Sequence, residues 1–248
     1  MPSSIPSGFR FHQAPESAPI PLRVPPSLAS WDRAGSPSQV RLGAFLEHAE
    51  AQLAAWPVAR EPLAVLLDVA LPASADLYES GDLDNYLFPL AQRLGSDRLA
   101  SVWASKSHAA RESTLRVARA HVMPGLAGED WSVACVRATG SAALASWKEC
   151  VRDQLAARAG AAPEGPLEME IAFRVGRGRS WINLWKQAID SLGPVLGLVN
   201  ARQPFHPCDG RIVRLGLHHS LATELGHDVE IAFCWRPAGS RAKARAAR

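Results

Sequence analysis

Gln52-Leu53-Ala54-Ala55 returns as Gln154-Leu155-Ala156-Ala157, each time closing a segment whose apolar residues recur at helical spacing. Other anchors recur in the same order. Phe45 falls opposite Trp147, Pro62-Leu63 opposite Pro166-Leu167, Asn85 opposite Asn183, and Leu94-Gly95 opposite Leu192-Gly193. Identities are few, but element order and turn positions agree as well, which defines an internal repeat of about 100 residues. A chain of 248 residues has room for two such units, each of ordinary domain size.

Residues 1–20, rich in Pro and Ser without periodicity, are expected to be disordered. The first unit spans 21–120. Pro21-Leu22-Arg23-Val24-Pro25 reads as a short edge strand, where proline is tolerated. Val40, Leu42, Phe45, Leu46, Ala49 and Leu53 then mark a helix that Ser36-Pro37 start and Pro57 ends. A strand over 63–71, a helix over 83–94 interrupted by Pro89, and a strand over 99–104 follow. Residues 121–130, with Met-Pro-Gly and Ala-Gly, read as a linker. The second unit, 131–237, repeats the order: strand 131–137, helix 142–157, strand 167–175, helix 182–192, then strands 211–217 and 229–235. Residues 238–248 form a basic tail carrying Arg241, Lys243, Arg245 and Arg248. Such a tail reads as a disordered solubilising end or a loose phosphate contact.

An apolar fraction of 47% gives each unit material for a core. No run of 18 apolar residues occurs, so no membrane-spanning helix is expected, and no secretory leader is apparent. Cys135, Cys150, Cys208 and Cys234 form no CxxC pair. That argues against a zinc site or a disulfide framework and fits a reducing, cytoplasmic setting. A net charge of +3 does not by itself establish a nucleic-acid partner.

Gly81-Asp82-Leu83-Asp84-Asn85 sits where a loop hands over to a helix. Asp82 and Asp84, two residues apart in extended chain, can share a hard cation such as Mg²⁺. Asp84 or Asn85 is equally suited to capping the helix N-terminus. In the second unit, Lys186 and Asp190 are four apart on one helix and suit a surface pair. Gly176-Arg177-Gly178-Arg179 suits either phosphate binding or a plain hairpin loop. His218 and His219, adjacent on a strand, point to opposite faces and do not chelate together. Trp147 and Trp185 fit helix cores, and core packing outweighs base stacking for the remaining tryptophans.

These segments together resemble the RusA-type Holliday-junction resolvases, whose signature runs D-x-D-N-x-x-K-x-x-x-D-x-L and then, on a strand, D-D-x-x-V. The resemblance implies a Mg²⁺-dependent endodeoxyribonuclease of recombination and repair that cuts branched DNA as a homodimer. In that family the two spaced aspartates and the second Asp of the pair hold the metal, and the lysine assists at the phosphate. In the first unit Asp82, Asp84 and Asn85 match the start, and Asp97 in Ser96-Asp97-Arg98-Leu99 matches the end, but Phe88 stands at the lysine position. In the second unit Asn183, Lys186 and Asp190 match the helix. Asp209-Gly210-Arg211-Ile212-Val213 matches the strand with its second Asp replaced by glycine, while Ser180 and Ile182 replace the first two ligands. Sites in the family's dimer are built within one subunit, so a composite of the two units is not the expected arrangement.

The fold class expected is therefore α+β: two tandem RusA-like units, each a mixed sheet packed with helices, forming a pseudo-dimer within one chain. The partner expected is branched or duplex DNA, bound through a basic face of Arg177, Arg179, Lys186 and Arg211. Cleavage is expected only at a Mg²⁺ site of Asp82, Asp84 and Asp97, with Lys186 of the second unit as the candidate lysine. The alternative is a catalytically inactive structural or protein-interaction module on the same fold.

Overall fold

Alternation of buried side chains decides how the strands lie. In the strand Leu167–Val175, the side chains of Leu167, Met169, Ile171, Phe173 and Val175 enter the main core. Ala172 joins a second cluster on the opposite face of the sheet, as period-two geometry requires. The computed structural model describes residues 5–29, 32–54, 62–79, 81–126 and 131–239. Pro57 and the basic tail residues Arg241, Lys243, Arg245 and Arg248 lie outside them. In chain order the strands are β1 (Phe11–His12), β2 (Ile20–Pro21), β3 (Leu63–Ala70), β4 (Leu99–Ser107) and β5 (Thr114–Arg119), then β6 (Val122–Met123), β7 (Ser132–Ala138), β8 (Leu167–Val175), β9 (Ile212–Leu221) and β10 (Val229–Pro237). The helices are α1 (Pro37–Ala54), α2 (Leu83–Leu94), α3 (Ala145–Arg158), α4 (Trp185–Asp190) and α5 (Gly193–Leu196).

Eight strands form one mixed sheet in the order β2-β5-β3-β4-β9-β8-β10-β7. All five helices contribute to the single large core on one of its faces. The protein is thus α+β, with a large mixed sheet packed with helices.

The strand order has the same pattern read inward from either edge, and the registers agree in detail. β3 pairs parallel with β4, with a shift between Leu63↔Leu99 and Ala64↔Ser101. β8 pairs parallel with β9, with the same shift between Leu167↔Ile212 and Glu168↔Arg214. The halves join through antiparallel β4 and β9, where Ser101↔His218 and Ser105↔Arg214 flank Trp103↔Gly216 symmetrically.

Several local expectations meet the coordinates closely, and others do not. The α2 helix covers residues 83–94 without a break at Pro89. Proline leaves the carbonyl of Asn85 without its helical donor, and the backbone N–H of Ala29 donates to that carbonyl at 2.7 Å. The helix expected over 182–192 is instead a 3₁₀ turn, Ile182–Leu184, followed by α4 and α5. Pro194 supplies the first turn of α5 and cannot continue α4. Strand β5 was not anticipated, and β6 lies inside the expected linker.

Over residues 5–20 the N-terminal segment corrects the expectation of disorder, and residues 1–4 lie outside the described residues. Phe11 and His12 are buried against the face of the sheet opposite the helices. The backbone N–H of Arg10 donates to Ser220 Oγ at 3.0 Å, and that of His12 to His218 Nδ1 at 3.1 Å. β1 also pairs antiparallel with β6. Polar side chains buried on that face need partners, and main-chain N–H groups of the segment supply them.

Candidate metal centre

Topology brings the two halves together at one end of the sheet. β3 runs parallel to β4, so the loop leaving β3 emerges beside the C-terminal end of β4. β9 runs antiparallel to β4, so it begins at that same end. The first loop carries Asp82 and Asp84 into α2, and Asp209 opens the 3₁₀ turn that leads into β9. Carboxylate oxygens of Asp82, Asp84 and Asp209 lie within 4.8 Å of one another.

Asp97 is not part of this cluster, which corrects its assignment as the third ligand. It lies exposed in the 3₁₀ turn before β4, at the opposite end of a nine-residue strand about 30 Å long. Asp209 completes the cluster instead, which therefore draws on both halves of the chain. Gly210 follows from the same packing. A Cβ there would run into the carbonyl oxygen of Tyr78, so a side chain at this position would force the two loops apart.

Asp82 occupies the N-cap position of α2 with extended backbone, yet its side chain makes no capping bond. One of its oxygens accepts from Asn85 Nδ2 at 3.2 Å. Asp84, in the first helical turn, is 3% exposed. Burial pushes its carboxyl up to about 6, against the pull of Lys186 and with a further push from Asp82. Asp209 is pushed up to about 7 by burial and by Asp82 and Asp84, again against Lys186. Crowded carboxylates with raised values are short of positive charge, and hard oxygen donors suit Mg²⁺ or Mn²⁺.

Lys186 reaches this cluster from α4. Burial opposes its charge, but Asp84 and Asp190 outweigh that and raise it above the usual lysine value. Its Nζ lies 3.0 Å from Asp190, which also pairs with Lys148 at 3.6 Å. A second ammonium, Lys106 on β4, was missed in the sequence. It is 3% exposed and donates to the carbonyl of Gly81 at 3.0 Å. No motif frames Lys106, and a lone lysine in an apolar strand was the only available signal. Outside the cluster opens a cleft of about 420 Å³ lined by Tyr78, Asp82, Lys186, Phe205 and Asp209.

The matching place at the other end of the central strands is built differently. Trp181 is buried there, stacked on His219 with ring centroids 5.3 Å apart, and its indole N–H points at the carbonyl of Ser96 at 3.5 Å. Asp97 faces His219, whose value burial lowers. Ser180 and Ile182 offer no carboxylate, as the sequence indicated, and Asn183 is exposed.

The residues expected to form a basic face have local partners in part. Arg179 donates to the carbonyls of His227 and Gly140. Arg211 donates to those of Gly165, Leu196 and Pro163. Both guanidinium groups hold loops together, Lys186 turns toward carboxylates, and Arg177 is exposed. Trp103, Trp131, Trp147, Trp181, Trp185 and Trp235 are all buried, so none presents a face for base stacking. His218 and His219 point to opposite faces as anticipated, the first fully buried and the second half-buried. The four cysteines are free. Among the described residues no helix is long and apolar enough to cross a membrane.

No protein-family model and no curated protein matches the chain.

Proposed function

We propose that the chain is a metal-dependent endodeoxyribonuclease related to the RusA-type resolvases, a fused pseudo-dimer that retains one site for branched DNA. The observation that carries this reading is the meeting of Asp82 and Asp84 from the first repeat with Asp209 and Lys186 from the second. The identical register shifts in the two halves of the sheet support descent from a homodimer, whose interface a fusion preserves.

Asp82, Asp84 and Asp209 would hold a Mg²⁺ ion, which when bound activates a water and stabilises charge on the phosphate under attack. The residues themselves do the rest. Asn85 steadies Asp82 by its hydrogen bond. Asp190 keeps Lys186 extended beside the carboxylates, where its ammonium can meet a phosphate oxygen and stabilise developing negative charge. With Ser180 and Ile182 in place of acidic residues, the matching place keeps Asp97 alone, and one carboxylate holds Mg²⁺ poorly, so each chain would cut one strand.

The deciding experiment is cleavage of a synthetic four-way junction in Mg²⁺, beside a gel shift in Ca²⁺ and the variant Asp82→Asn/Asp84→Asn. Single-strand incision that disappears in the variant supports the reading. Binding without cleavage leaves a DNA-binding relic, and neither result leaves the protein-interaction module in front.

A further inference from the structure

Lys106 has no counterpart in the motif that frames the carboxylates, yet it bonds the backbone of the loop that carries them. Its side chain is 3% exposed on β4, and its ammonium bonds the carbonyl of Gly81, the residue preceding Asp82. Burial lowers its value from the usual lysine range, and Asp82, Asp209 from the second half, and Asp76 from the loop after β3 pull the other way and favour the charged form. At the matching position of β9, on the same face of the sheet, stands His219 rather than lysine.

We propose that Lys106 is a positioning residue that acts as a built-in cation and restricts the carboxylate cluster to a single divalent ion. This rests on the metal-centre reading. Three carboxylates carry three negative charges, and Lys186 is already shared with Asp190. Two divalent ions held by such a cluster would give a symmetric two-metal clamp, typically with the ions about 4 Å apart. A fixed ammonium beside Asp82 and Asp209 repels the second ion at short range, where little solvent screens it. It also anchors the Gly81–Asp82 backbone, so the loop keeps its shape whether or not an ion is bound.

The test is titration of the full chain with Mn²⁺ by calorimetry and electron paramagnetic resonance. Wild type is expected to bind one ion with an uncoupled six-line signal. Lys106→Met should bind the first ion at least about tenfold tighter, as removal of a nearby like charge demands, and admit a second that couples to it. Lys106→Arg keeps the charge and should behave as wild type, which guards against a folding defect in the methionine variant. Two coupled ions on wild type, or a Lys106→Met titration superimposed on the wild-type curve, overturns the proposal. Absence of any ion on wild type overturns the metal-centre reading itself, which is a different result from two.

Discussion

Trp103 on β4 stands directly opposite Gly216 on β9, at the point about which the pairing of the two halves is symmetric. A perfect symmetry would place like residues there. Instead a Cβ on Gly216 would approach Trp103 Cζ3 to 2.6 Å, so the largest side chain lies over the smallest. Arg214 caps the same indole ring, 5.2 Å from its centroid. Here the join between the halves is asymmetric and depends on one glycine.

Gly216→Ala is accordingly expected to destabilise the protein by about 1–3 kcal/mol, the usual cost of overpacking a rigid core. Urea denaturation with tryptophan fluorescence measures it. An unchanged midpoint would mean that the indole moves aside freely, contrary to its burial on both sides.

The carboxylate cluster has a pH signature in chelator. The values of Asp84 and Asp209 are raised to about 6 and about 7, so the folded state holds protons that the unfolded state releases near 3.8. Their favourable contribution is complete below about pH 3.8 and is lost as pH rises through 6 and 7. Asp84→Asn/Asp209→Asn should therefore be more stable than wild type at pH 8 by about 1–3 kcal/mol, with the difference vanishing near pH 4. Millimolar Mg²⁺ should stabilise wild type at pH 8 and leave the variant unmoved in thermal melts.

His12 gives the opposite slope. Burial, then the charges of His218, Arg10 and His219, lower its value from 6.5 to about 4. The unfolded chain binds this proton before the folded one does, so stability is full above about pH 6.5 and falls as pH drops through 4. His12→Gln should flatten that limb by on the order of 2 kcal/mol. Comparing urea midpoints at pH 7 and pH 4.5 in the two proteins checks it. A wild-type limb that survives in the variant would assign the acid sensitivity to another group.

Lys186→Met separates metal binding from phosphate chemistry. Mn²⁺ affinity should rise or hold, because a like charge is removed, while junction cleavage falls by at least about a hundredfold if the ammonium stabilises the transition state. Loss of cleavage together with loss of Mn²⁺ binding would point instead to collapse of the site.

How much was legible varied residue by residue. Apolar spacing located α1 and α2 because those helices bury one continuous stripe. Asp82, Asp84 and Lys186 were visible through their motif spacing, a local property of the chain. Asp209 was visible only as a remnant and Asp97 was misassigned, because the repeat suggested that each site closes within its own unit. Arg179 and Arg211 looked like phosphate contacts, but charge composition does not reveal which carbonyls lie within reach. The segment around Phe11 looked disordered because its partners, His218 and Ser220, lie about 200 residues away.

By itself the sequence determined the α+β composition and the main elements α1, β3, α2, β4, β7, α3, β8, β9 and β10, since each depends on local spacing, propensity and turn residues. Tertiary structure alone decided that the halves share one sheet through β4 and β9, that Asp209 meets Asp82, and that Lys106 bonds the loop before it. The physical reason is strand direction. Antiparallel pairing of β4 with β9 places the start of one beside the end of the other, and so assembles a charged site from residues far apart in the chain.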